Sequence, residues 1–378
     1  MASRRHWHLS FLSAIVGAAL LAACGGGDPE LNVGKVISFG DSGSDLGTYS
    51  PATSLAGAAG TPPFFGGRWT TNTYTGYTAT SNTSTATIWV EWVAAKVGMP
   101  ITVAEVGFAG RSVKCPAAAS PALAESCNGY AMGGSLITDP NGIRHEQGAL
   151  TVPLVTQVAN HLAKPYVNGS FDSNDLVFVA AGGNETFVNA GAVAAGLPPA
   201  TAIANMQAAA NELAALLKDQ VLAKGATRVA VLNVPDLALT PEGSALPAES
   251  RALLTQLTAA FNTTLEAGLA GTSARIIDLR SWWADAIANP AKYGFVNTTT
   301  AACDPAKIAA VTGGRVTDGS SMFCNASAGQ PFNGMKTGAS ASTWFFADTN
   351  HPTTGGHKAY ADFVITQIKD FGWIPANL

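Results

Sequence analysis

The stretch VISFGDSGSDLG, residues 36–47, ends an apolar β-branched run on Asp41 and Ser42, with Gly40 and Gly43 on either side. A serine delivered by a buried strand into a glycine-flanked turn has the setting of a nucleophile. A free hydroxyl is weak at neutral pH, so it needs a base within hydrogen-bond reach. It also needs a carboxylate to orient that base and donors where charge develops on a carbonyl oxygen. A GxSxG elbow, which meets these needs in α/β-hydrolases, occurs nowhere in the chain, so Ser42 belongs to another scheme. Asp41 and Asp45 stand beside it as turn organisers, because short carboxylates bond neighbouring backbone N–H groups.

The elements that must position these groups follow from periodicity. Apolar runs predict strands at Val36–Phe39, Asp175–Ala181, TRVAVLNV (227–234) and ARIIDL (274–279). Helical spacing appears near Thr87–Val97 and Leu150–Leu162, and through Leu254, Leu257, Phe261 and Leu265. It is clearest from Thr201 to Lys224, where Ile203, Met206, Ala210, Leu213, Leu217 and Val221 recur at three- and four-residue steps and Gly225 supplies a stop. HKAYADFVITQIKDF closes the chain as a helix. Continuous apolar strands separated by amphipathic helices indicate a parallel sheet covered on both faces. Ligands of such sheets bind beyond the carboxyl ends of the strands, the rim that Gly40–Ser42 and Gly182–Asn184 would share. The polar stretches Thr70–Thr85 and Gly313–Ser342 read as loops or insertions.

Arg4 and Arg5 precede an apolar run from Phe11 to Leu21 that closes on LAAC, the pattern of a secretory signal peptide too short for a permanent span. Small residues before Cys24 resemble a bacterial lipobox. The expected organisation is a signal peptide over 1–23, a flexible tether over 24–34 with lipid on Cys24, and a single domain with loop insertions over 35–378. Gly25, rather than aspartate, after that cysteine suits release to the outer membrane by resemblance to bacterial lipoproteins. The expected location is therefore exported: outer-membrane lipoprotein, or else secreted or periplasmic. Removing 1–23 takes the formal net charge from −4 to −6, because two arginines leave with it. A mildly acidic chain argues against nucleic acid as partner, and 47% hydrophobic with 12% charged residues allows a large core. Cys115, Cys127, Cys303 and Cys324 are even in number, as two disulfides require in an oxidising compartment. Local pairs, Cys115 with Cys127 and Cys303 with Cys324, are favoured because each sits in a loop-like stretch, and no CxxC spacing suggests zinc.

GDSGSD after a strand resembles the first block of the GDSL esterases and lipases, the SGNH hydrolase superfamily. NGYAMGGS at Asn128–Ser135, AAGGNETF at Ala180–Phe187 and DTNHPT at Asp348–Thr353 resemble the later blocks, in order. GGRWTTN near Arg68, IWVEWVAAKVG near Trp89, NVPDLALTP near Pro235 and NPAKYGFVN before Cys303 agree, so the likeness spans nearly the whole mature chain. Gly43 replaces the family's leucine, and Glu185 stands where aspartate usually follows the asparagine.

The resemblance implies a three-layer α/β/α fold with a flavodoxin-like parallel sheet, and hydrolysis of carboxylic esters through an acyl-enzyme without metal or cofactor. It implies Ser42, Asp348 and His351 as a triad. It also implies an oxyanion hole from the Ser42 N–H, the Gly134 N–H and the Asn184 side-chain amide, with Gly133 as the alternative to Gly134. His357, on the closing helix, is the competing histidine and reads as structural. The Cys115/Cys127 loop, beside the second block, is expected to decorate the pocket wall and to shape substrate choice. Trp69, Trp89, Trp92, Trp344, Phe345 and Phe346 are of a type to line an acyl pocket, or, more commonly, the core. The expected partner is an ester: acyl ester, lipid, polyester or acetylated glycan, with membrane contact expected only through lipid on Cys24. Acyl transfer at the same site, or binding of glycan or lipid without catalysis, are the alternatives.

Overall fold

The apolar runs at 36–39, 175–181, 227–234 and 274–279 each form a strand in the computed structural model, which describes residues 31–55, 67–73, 86–327 and 332–378. The signal peptide, Cys24 and the first part of the tether lie outside the described residues. Asn32, Val33 and Gly34, counted with the tether, already touch the domain: Gly34 N donates to the Asn174 carbonyl at 3.0 Å, and Val33 is buried. The strands are β1 (Val36–Gly40), β2 (Glu105–Phe108), β3 (Arg111–Lys114), β4 (Leu176–Ala180), β5 (Arg228–Leu232) and β6 (Arg275–Ile277). The helices are α1 (Ser50–Leu55), α2 (Trp89–Lys96), α3 (Leu154–Leu162), α4 (Gly183–Ala194), α5 (Pro199–Leu216) and α6 (Pro241–Ser244). They continue with α7 (Ala248–Leu269), α8 (Leu279–Ala288), α9 (Pro305–Val311) and α10 (Thr354–Asp370).

The main sheet is parallel throughout, in the order β1-β4-β5-β6. On the far side of β1 the segment Asn128–Met132 runs along it without forming a regular strand. Ser38 N donates to Asn128 O at 2.9 Å, Tyr130 N to Ser38 O at 2.8 Å, and Met132 N to Gly40 O at 3.1 Å. That segment occupies the outer position of a flavodoxin-like 2-1-3-4-5 order. β2 and β3 make a separate antiparallel hairpin.

Alternation along the strands separates two cores. Ile37, Phe39, Val177, Val179, Val229 and Val231 face α3, α5 and α7, while Val36, Leu176, Phe178, Ala230, Leu232 and Ile277 face α2, α8 and α10. Both faces being covered accounts for strands with no polar stripe. The long helix expected from Thr201 to Lys224 begins at Pro199 and ends in a π-helical turn over Leu217–Leu222, before Gly225 at φ +101°. A third, smaller core gathers Tyr49, Ile308, Met322, Phe323 and Met335 around the Cys303–Cys324 disulfide. Both disulfides join the local partners expected. No helix among the described residues is long and apolar enough to cross a membrane.

Candidate active site

Register brings the ends of three strands level, Gly40 beside Ala180 and Ala180 beside Leu232, so the turns that follow them share one rim. Gly40 is needed there: at φ +150° a Cβ would lie 2.2 Å from the Ala180 carbonyl. Buried Gln157, on α3, clamps the same residue from both sides, accepting from Gly40 N at 2.9 Å and donating to Gly40 O at 2.8 Å. The chain then turns through one 3₁₀ turn, Ser42–Ser44, capped by the Asp41 carboxylate, which accepts from Gly43 N at 3.1 Å. Asp45 reaches further than a turn organiser. One oxygen accepts from Gly47 N and Thr48 N at 2.9 and 2.7 Å, while the other accepts from Gly133 N, 88 residues away, at 2.9 Å.

His351 Nε2 lies 2.8 Å from Ser42 Oγ, and both Asp348 carboxylate oxygens lie 2.9 Å from His351 Nδ1. The loop carrying them is closed by Ala347 N donating to the His351 carbonyl at 2.7 Å. Asp348 also accepts from the backbone N–H groups of Asn350, His351 and Ser321 at 3.0, 2.8 and 3.0 Å. Burial by itself raises this carboxyl, but the charge and hydrogen bond of His351, with the Ser321 donor, hold it far below the usual carboxylate range. Burial likewise lowers His351, and the Asp348 charge and hydrogen bond overcome it, leaving the imidazole above its ordinary value. Trp69 lies against the imidazole with ring centroids 4.8 Å apart, limiting its swing.

Ser42, Gly133, Gly134, Asn184, Asp348 and His351 all line one cavity of about 980 Å³. The two glycines differ in what their N–H groups do. That of Gly133 is taken by Asp45, whereas that of Gly134 has no protein acceptor among the described residues. Gly134 sits at φ +82°, and a Cβ there would come 2.3 Å from the Ile143 carbonyl. Asn184 occupies the first turn of α4, and its Nδ2 donates to the Ser135 carbonyl at 2.8 Å. Glu185 beside it is buried; Oε1 accepts from Ile137 N at 2.6 Å, Oε2 has no hydrogen-bond partner, and burial pushes the carboxyl up to about 7. Burial also raises Asp41 to about 6.

His357 lies within α10 and is buried, with Trp89 N at 3.4 Å from Nδ1; burial lowers it to about 3, as befits a core histidine. Of the aromatic residues singled out, Trp69 lines the cavity, while Trp89, Phe345 and Phe346 are fully buried beneath the sheet. The Cys115/Cys127 loop requires a correction. No residue between those cysteines lines the cavity, because the hairpin ahead of them carries the loop outward and leaves it largely exposed. The wall is built instead by the Cys303–Cys324 loop, through Arg315, Val316, Asp318, Met322 and Phe323. Sequence reasoning also missed Gln157 and Asn72, whose Nδ2 donates to the Ser321 carbonyl at 2.9 Å. Asn72 closes the GGRWTTN stretch, whereas Gln157 carries no local sequence signal.

A hydroxyl, an imidazole and a buried carboxylate in line, facing an apolar cavity, define a serine-hydrolase type of site. The family model described as GDSL-like Lipase/Acylhydrolase matches residues 36–364, and the chain belongs to that family. Among solved structures it is similar to phospholipase A1 from Streptomyces albidoflavus NA297, at 15% identity over 88% of this chain and 99% of that one, with a TM-score of 0.36. No curated protein matches the chain.

Proposed function

We propose that the protein hydrolyses carboxylic esters through an acyl-enzyme on Ser42. The observation that carries this reading is the unbroken hydrogen-bonded line Asp348–His351–Ser42, at 2.9 and 2.8 Å. His351 takes the hydroxyl proton as Ser42 attacks and returns it to the leaving alcohol, then activates the water that releases the acyl group. Asp348 keeps the imidazole oriented and stabilises its charged form. The forming oxyanion is met by the N–H groups of Ser42 and Gly134 and by the second Nδ2 hydrogen of Asn184, the first being held by Ser135. Each such donor contributes on the order of 3 kcal/mol to the transition state.

The two disulfides support an extracellular or periplasmic location. Within it we place one catalytic domain over 35–378, exported by residues 1–23 and held by lipid on Cys24; loss of palmitate labelling in Cys24→Ser tests the anchor. For the chemistry, Ser42→Ala is expected to lower kcat on p-nitrophenyl butyrate by at least about 10³-fold and to abolish labelling by a fluorophosphonate. Activity within tenfold of wild type contradicts the assignment. Ester formation from an added alcohol in place of acid release would make acyl transfer the reaction.

A further inference from the structure

The cavity is not uniform around Ser42. Along one flank it follows α4, whose Phe187, Ala190, Gly191 and Ala194 line it at three- and four-residue steps, and faces the opening turns of α7 through Leu253 and Leu254. Gly182, before α4, packs against Phe261 far along α7, so the two helices run in opposite directions and enclose a trough between them. No charged side chain among the described residues lines the cavity from either helix. On the other flank Arg144, Arg315 and Asp318 line it, with Arg144 and Asp318 in an ion pair.

Given the ester hydrolysis proposed above, on which this step rests, we infer that the α4/α7 trough receives the acyl chain of a medium-chain ester of about ten to twelve carbons. The alcohol part is then directed to the charged flank. The trough begins at the oxyanion residue Asn184 and ends with α4 at Ala194, a length of about 15 Å at the rise of an α-helix. An extended alkyl chain advances about 1.25 Å per carbon, from bonds of about 1.52 Å meeting at about 111°, so about twelve carbons fill it. The small residues Ala190, Gly191 and Ala194 keep its floor low, and a Cβ at Gly191 meets nothing within 4 Å. A larger side chain there enters open trough rather than packed protein. Each methylene laid in the trough is worth about fourfold in binding, the ordinary value for removing it from water.

The test is kcat/KM on p-nitrophenyl esters from butyrate to palmitate for wild type, Gly191→Leu and Ala194→Trp, with thermal melts to establish that each variant is folded. Wild type is expected to rise with chain length and level off near twelve carbons. Gly191→Leu, about 10 Å along α4 from Asn184, is expected to move the optimum to about eight carbons and to lower the dodecanoate-to-butyrate ratio at least tenfold. Ala194→Trp is expected to act in the same sense on longer chains. Ratios within twofold of wild type in both folded variants, with esters still hydrolysed, overturn the acyl trough and leave the hydrolase reading standing. Failure of wild type to turn over any ester, together with no fluorophosphonate labelling of Ser42, overturns both.

Discussion

The two disulfide-closed loops are alike on paper and differ in what they hold. Their cysteines are 12 and 21 residues apart, which predicts a similar restriction of the unfolded chain, about 3 kcal/mol in each case. The Cys115–Cys127 loop stands largely exposed. The segment after it is already tied to β1 by backbone hydrogen bonds from Asn128 to Met132. The Cys303–Cys324 loop is also tied at both ends by backbone hydrogen bonds, Ala302 N to Phe346 O at 2.9 Å and Asn72 N to Cys324 O at 2.9 Å, but to irregular segments rather than to the main sheet. It folds around a small apolar core, and the turn ending at Cys324 supplies the Ser321 N–H that binds Asp348. On the other side, Cys303 N donates to the carbonyl of Ala347, next to Asp348, at 2.8 Å. The two crosslinks therefore differ in what their joined segments hold: the first borders the main sheet, the second borders Asp348.

Breaking the group that the second loop supports should have the largest effect. Asp348→Asn is expected to lower kcat about 10⁴-fold, through the wrong imidazole tautomer and loss of the countercharge. The same variant moves the acid limb of kcat/KM to lower pH. In the proposed mechanism the base is neutral His351, and it is the Asp348 charge that lifts this histidine above its ordinary value against the burial that lowers it. A pH–rate profile from pH 4 to 9 (about the range a histidine limb needs) checks both, and an unmoved limb would exclude Asp348 as its cause.

Next comes the disulfide itself. Cys303→Ala/Cys324→Ala should lose about 3 kcal/mol of stability and at least about tenfold in kcat, with KM changed less, because the support of Asp348 loosens rather than the cavity's far flank. Cys115→Ala/Cys127→Ala should lose a similar stability in a urea titration, about 3 kcal/mol, with kcat within about twofold of wild type. Equal loss of kcat in the two double variants would erase the contrast between the loops. The smallest effect sharpens it: Tyr49, in the same small core, donates to the Gly133 carbonyl at 2.6 Å. Tyr49→Phe should cost about 1 kcal/mol, measured as a shift in urea midpoint without change in slope.

Much of this molecule was legible before folding. Strands buried on both faces announced themselves as unbroken apolar runs, and Leu213, Leu217 and Val221 announced a helix, although its last turn opens into a π-helix. The helix α4 was not read, because Asn184 to Ala194 mixes glycine, alanine and asparagine with no apolar stripe; its helical state comes from packing against α5 and α7. Ser42 and His351 stand 309 residues apart, and nothing in their spacing joins them. Their pairing was legible only through ordered blocks that resemble a family.

The amino-acid sequence by itself determined the layers, the cysteine pairs and the residue types able to make and hold a nucleophile, because local periodicity, loop composition and turn chemistry act over a few neighbours. Tertiary structure alone decided that Gly134 rather than Gly133 keeps its N–H for the cavity, that Gln157 clamps Gly40 and that the second crosslinked loop, not the first, forms the wall. Each of those outcomes depends on which distant donor reaches a given acceptor first, a competition settled only when the whole chain has closed.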